Sequence, residues 1–147
     1  MSVLSTIGTN KKSLRRFIEL LREAKVDAVI DTRRNNTSQL AGFSKKEDLH
    51  FLLTEAFGIG YEHRPELAPS EPLLAIFQKD RNWDRYSMGF LDELEAGSMR
   101  EVLRGLLDRY QHPCLLCACE SEETCHRRLL AGALAEERPD LEIRHLK

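Results

Sequence analysis

The chain has 147 residues, 41% of them hydrophobic, which is enough for one core and too little to expect two, so a single α/β domain over residues 1–147 is the expectation. Its 22 basic and 24 acidic residues give a formal net charge of -2, which excludes a global field drawing the protein to nucleic acid or membrane and leaves any anion site local. No apolar run is long enough to span a bilayer, and Met1-Ser2-Val3-Leu4-Ser5-Thr6 lacks the basic start and apolar core of a signal peptide. A cytoplasmic location without a membrane partner is therefore expected.

In chain order, Val3 to Gly8 reads as a strand that stops at Gly8-Thr9-Asn10. Ser13 then caps a helix whose Leu14, Phe17, Ile18 and Leu21 recur at three- and four-residue intervals. Val26 to Thr32 is a continuously apolar run ending in Asp31-Thr32-Arg33-Arg34, as expected of a parallel strand covered on both faces. A polar loop from Asn35 to Ser44 follows, with Ser44 expected to cap a helix carrying Leu49, Leu52, Leu53, Ala56 and Phe57 and ending at Gly58. Ile59 to Arg64 is the third predicted strand, stopped by Pro65.

Glu71 to Gln111 is helical in pattern, with breaks near Asn82-Trp83 and Gly97-Ser98, so two or three helices are predicted there. Pro113 to Cys119 is the fourth strand, Thr124 or Cys125 opens a helix through Ala135, and Leu141 to Leu146 is the fifth strand. Strands alternating with helices predict a Rossmann-like three-layer α/β domain with a mostly parallel sheet of about five strands. Ligands of such sheets bind at the carboxyl ends of the strands. On this reading Gly8-Thr9-Asn10, Asp31-Thr32-Arg33, His63 and Cys117 to Cys119 all lie toward one edge of the sheet.

Three of the four cysteines crowd between Cys117 and Cys125. In a reducing compartment they are expected free, catalytic or metal-bound rather than joined in a structural disulfide. Cys125, beside His126 and Arg127 at a helix start, is the candidate nucleophile, because a helix N-terminus and neighbouring cations favour the thiolate. His126 would assist proton transfer, and Asp31 is a second candidate nucleophile or base. Arg33 and Arg127 are the candidate anion-binding residues, with Thr9, Cys117, Glu120 and His63 around them. A structural Asp31-Arg33 ion pair is the competing reading.

Cys117 and Cys119 have the same strand parity, opposite that of Cys114. With Cys125 and His126 they offer four ligands suited to tetrahedral zinc. Adjacent residues of a helix point in different directions, which argues against Cys125 and His126 sharing an ion, and no metal or cofactor is expected. Trp83 and Tyr86, three apart on a helix, serve either as a lid or as core. Dinucleotide and phosphate-loop fingerprints are absent, and the arginines after Cys125 lie too close for a Cys-x5-Arg phosphatase.

Thr6-Ile7-Gly8, Asp31-Thr32-Arg33 with Ser38, Gly42-Phe43, Tyr61 with Pro65-Glu66-Leu67, and Leu115-Leu116-Cys117-Ala118 leading to Cys125-His126-Arg127 occur in the order of the family catalogued as domain of unknown function 488. The sequence resembles that family over nearly its whole length. The resemblance implies a compact Rossmann-like domain without an established activity. The sequence departs from the family's pattern in two places: Cys119 stands where the family usually places Glu two residues after its first cysteine, and Asn36 and Gln39 stand in a loop that favours Pro and Arg.

The expected function is that of an enzyme acting on an anionic, phosphate-bearing substrate, a nucleotide or nucleic-acid fragment. The alternatives are a non-catalytic ligand-binding or regulatory module, and a zinc-stabilised domain.

Overall fold

The computed structural model describes residues 2–37, 39–119 and 121–147, and of Gln39, Leu40 and Ala41 the backbone alone. Strands β1 (Val3–Gly8), β2 (Ala28–Asp31), β3 (Gly60–His63), β4 (Pro113–Cys117) and β5 (Glu142–Leu146) form one sheet in the order β3-β2-β4-β1-β5. Every pairing is parallel. The central β2 and β4 are buried along their whole length, and the edge strands β3 and β5 are only partly covered. This is why the inner runs are uniformly apolar and the outer ones carry Glu62, His63, Arg144 and His145.

The helices are α1 (Leu14–Glu23), α2 (Lys46–Phe51), α3 (Glu71–Asp80), α4 (Trp83–Ala96), α5 (Met99–Arg109) and α6 (His126–Glu137). Side-chain alternation along the strands divides the interior into two cores. Ile7, Val29, Cys114 and Leu116 pack with Phe17 and Leu21 of α1 and Leu49 of α2. Leu4, Ala28, Ile30 and Leu115 pack on the other face with Phe90 of α4, Leu103 of α5 and Leu130 and Leu134 of α6. Two layers of helix therefore sandwich the sheet, as the alternating pattern predicts.

Local chemistry sets several boundaries. Ser13 and Ser70 accept hydrogen bonds from the first turns of α1 and α3, and Asn82 does so for α4. Helix α1 stops where Lys25 takes the left-handed conformation at φ 59. The segment expected as one helix from Ser44 to Gly58 is divided: α2 ends at Phe51 and a π turn covers Leu52–Ala56. Ser44 does not cap it; Lys45 occupies the cap without a side-chain bond, and Ser44 turns inward to Arg33. The run from Glu71 to Gln111 holds three helices. Among the described residues no helix is long and apolar enough to cross a membrane.

The strand order places the site. The chain leaves β1 and β2 toward the α1-α2 layer and leaves β4 toward the α6 layer. The loops after the neighbouring strands β2 and β4 thus diverge to opposite faces and open a crevice at their carboxyl ends.

Candidate functional site

Cys117 closes β4 with the parity of Leu115, so its thiol faces the α4-α6 layer. Two residues on, Cys119 points the same way, and the sulfurs lie 3.5 Å apart. Cys114 has the opposite parity and sits in the other core. Cys125 is not helical: it is the N-cap of α6, with extended φ -132 and ψ 144 and no capping side-chain bond. That conformation removes the expected divergence of Cys125 from His126 and turns both side chains inward. Cys125 Sγ lies 3.8 Å and Cys117 Sγ 3.9 Å from His126 Nδ1.

The imidazole is fixed from behind. Thr32 donates its hydroxyl to the Leu116 carbonyl at 2.8 Å, which leaves its oxygen lone pairs to receive His126 Nε2–H at 3.0 Å. The Thr32 carbonyl, 3.3 Å from the same nitrogen, supports that tautomer, and the Phe90 ring packs edge-on at 5.6 Å between centroids. With the proton on Nε2, the Nδ1 lone pair faces the thiols. Hydrogen bonds from Cys119 and Cys125, which outweigh burial, pull the Cys117 thiol well below its ordinary pKa. The same contacts push Cys119 up to about 11 and raise Cys125 well above the usual value. Within the cluster the thiol held low is Cys117, with Cys119 and Cys125 held high.

These groups form the floor of a cavity of about 440 Å³. One wall is Leu74 and Phe77 of α3 with Tyr86 of α4, and the Phe77 and Tyr86 rings stack at 4.4 Å. Arg33 and Arg34 also line the cavity, Arg34 beside the start of α3. The volume lies within the range of about 300–1,000 Å³ usual for small-ligand sites.

Asp31 has the parity of Val29 and faces the α1-α2 layer, away from the thiols. Its carboxylate accepts Arg33 Nε at 2.8 Å and Arg33 Nη2 at 2.7 Å. It also takes the Arg33 amide at 3.1 Å, Asn36 Nδ2 at 3.0 Å and the Tyr61 hydroxyl at 2.6 Å. Burial pushes this carboxyl up, but Arg33, Tyr61 and Asn36 together hold it below its ordinary value. Arg33 also donates to the Ser44 carbonyl at 2.7 Å. The pair is thus closed on itself, and its geometry is that of the structural ion pair.

Arg34, which the sequence reading passed over, is differently placed. It is exposed, its Nε and Nη2 donate to the Pro69 carbonyl at 3.1 and 2.9 Å, and among the described residues no carboxylate pairs with it. Arg127 is 1% exposed and lies behind the cluster. Its Nη1 reaches the Cys119 carbonyl at 3.3 Å, while its Nε has no partner among the described residues.

Thr9 is buried and its amide donates to the Cys117 carbonyl at 3.0 Å, tying β1 to the cysteine loop. His63 donates from Nε2 to the Arg33 carbonyl at 2.8 Å. Neither lines the cavity. Glu120, expected beside Cys117, lies outside the described residues. Of the aromatic pair, Tyr86 is buried and lines the cavity, while Trp83 packs 5.6 Å from it on the outer side. Arg34, Phe77 and Thr32 went unnoticed as site residues; only Arg34 carried a signal, its charge at a strand's carboxyl end.

Residues 13–134 match the profile of the family described as Domain of unknown function DUF488, and the chain belongs to that family. Neither a curated protein nor a solved structure matches it.

Proposed function

We propose that this DUF488 member is an enzyme whose crevice takes a small, anionic, phosphate-bearing ligand with a planar part, as a mononucleotide has. The observation that carries the reading is the composition of one cavity: cationic rim, aromatic wall and thiol-imidazole floor line the same space. Arg34 would hold the phosphate, because its guanidinium stands at the mouth without a carboxylate partner among the described residues. Phe77 and Tyr86 would cover the planar part. Arg33 supports the rim through its lock on Asp31, and Arg127 anchors the Cys119 loop rather than reaching the ligand. The reacting end of the ligand would meet Cys117, Cys125 and His126.

One observation favours a different role for the thiols from free nucleophiles. Cys117 is 6% and Cys125 1% exposed, so their sulfurs point at one another and at Nδ1 more than at an incoming substrate.

Ligand binding tests the reading directly. A nucleoside monophosphate should bind more tightly than its nucleoside. Arg34→Ala should remove that difference, about 1.5–3 kcal/mol for a charge-assisted contact, or roughly tenfold to hundredfold in Kd. Phe77→Ala should weaken nucleoside and nucleotide alike. Equal titration of wild type and Arg34→Ala by the monophosphate would refute the assignment.

A further inference from the structure

We infer that Cys117, Cys125 and His126 bind one zinc-class divalent ion at the cavity floor through Sγ, Sγ and Nδ1, with a fourth coordination position open to the cavity. The three donor atoms lie within 4.8 Å of one another and all three residues are buried. Zinc bonds of about 2.3 Å to sulfur and 2.0–2.1 Å to nitrogen place tetrahedral sulfur and nitrogen ligands about 3.6 Å apart. The observed separations of 3.8 and 3.9 Å from Nδ1 to the two sulfurs are within a few tenths of that figure, so the side chains close on an ion by small rotations.

The surroundings support a metal more than a packing cluster. A ligating histidine is ordinarily oriented by a hydrogen bond from its other nitrogen. Thr32 supplies that bond at Nε2, from both its hydroxyl and its carbonyl, and so presents Nδ1 as a bare donor atom to two sulfurs. None of the four cysteines is in a disulfide. Cys117 and Cys125 come from different elements, the end of β4 and the cap of α6. An ion bridging them would fasten the crevice that the sheet topology opens.

Two sulfurs and one nitrogen with a free position is a donor set of catalytic zinc, whereas structural zinc is closed by four protein ligands. Cys119 is the residue that decides between these. Its sulfur touches Cys117 at 3.5 Å, but it lies outside the compact triad and is partly exposed. It flanks the open position and does not fill it. That this position faces a substrate rests on the proposed reading of the cavity; the metal itself does not, so the two fail separately.

Metal content of the purified chain, followed by replacement with cobalt, tests the inference. One zinc per chain is expected. The cobalt form should show tetrahedral visible bands and a sulfur-to-cobalt charge-transfer band of two-thiolate intensity. Cys119→Ser should leave that band unchanged, and Thr32→Val should weaken zinc binding by about 10–100-fold while zinc still binds.

Because Cys117 and Cys125 are buried, so that their serine variants test folding together with metal binding, alkylation of the wild type located by mass spectrometry provides an independent reading. Cys117 and Cys125 should react only after chelation, while Cys119 reacts in both forms. Substoichiometric zinc after dialysis against it, or equal alkylation of Cys117 and Cys125 with and without zinc, overturns the site. A three-thiolate band that drops in Cys119→Ser overturns the open position and makes the ion structural. Arg34→Ala should bind zinc like the wild type, which keeps failure of the phosphate reading distinct from failure of the metal.

Discussion

Replacing Asp31 by Ala removes a fully buried carboxylate from beneath five hydrogen bonds. Arg33, 7% exposed, would keep among the described residues only Ser44 as a side-chain partner, through its carbonyl at 2.7 Å and its hydroxyl at 3.4 Å. Leaving a buried charge unpaired costs about 3–5 kcal/mol, a large part of the roughly 5–15 kcal/mol that holds such a domain together. Urea unfolding followed by circular dichroism at pH 7 measures the loss. The double variant Asp31→Leu with Arg33→Met removes both charges at similar volume. It still strands the Tyr61 hydroxyl, Asn36 Nδ2, the Arg33 amide and the Ser44 carbonyl, but it leaves no buried charge, so it should be more stable than Asp31→Ala. The carboxyl's folded pKa lies below its unfolded value, so its stabilisation is complete above the unfolded value of about 3.9 and is lost as pH falls through the folded value. The gap between wild type and Asp31→Ala should accordingly be constant near neutrality and shrink below about pH 4. A loss under about 1 kcal/mol in the single variant, or a double variant no more stable than the single, would refute the account of this pair.

Three further outcomes follow from the geometry around the cysteines. A methyl group at Gly8 would lie 1.9 Å from the Cys119 carbonyl oxygen and 3.2 Å from Arg127 Nη2. Gly8→Ala should therefore cost about 1–3 kcal/mol or more in chemical unfolding, and it should raise the alkylation rate of Cys117 as the Cys119 loop shifts. A Gly8→Ala protein as stable as wild type would contradict the close approach. Arg127 is a buried cation whose Nε has no partner among the described residues, so Arg127→Met should leave thermal stability equal or raise it by up to about 4 kcal/mol. A clear loss would mean that the guanidinium is compensated in the fold. Phe90→Ala, at a position with no exposure, should cost about 3–5 kcal/mol. It should also broaden the ring resonances of His126, against which Phe90 packs edge-on; an unchanged His126 signal would show that Thr32 alone orders the ring.

The architecture was legible because burial follows chain order here. Apolar runs such as Ala28-Val29-Ile30 and Cys114-Leu115-Leu116 are buried on both faces, and a helix lies between each strand and the next. The parity argument for Cys117 and Cys119 worked for the same reason: a strand has period two, and its continuation keeps the sulfurs together. It was silent about depth and partners. Asp31 and Arg33 share parity, but they close on each other and on Ser44, a residue eleven positions away whose inward turn depends on an irregular loop. Arg34 is left as the exposed cation, a distinction that depends on that loop and not on the Arg-Arg pair itself.

The Cys-His pair shows the limit of periodic reasoning most clearly. Two neighbours inside a helix diverge by about 100°, and that premise argued against Cys125 and His126 sharing an ion. The premise fails by a single residue. Cys125 caps α6 in an extended conformation, so the chain turns between the two side chains and brings both over Cys117. Such a boundary is least certain where the capping residue is a cysteine, which makes no capping bond of its own. Helix starts are also where α/β folds gather anionic and soft ligands, because amides and dipole converge there. The residue type least suited to announce the cap is thus the one a metal or thiolate site places at it. This is why the sequence could name these donors but not their convergence, which depends on how β4, α6 and the Thr32 loop come together.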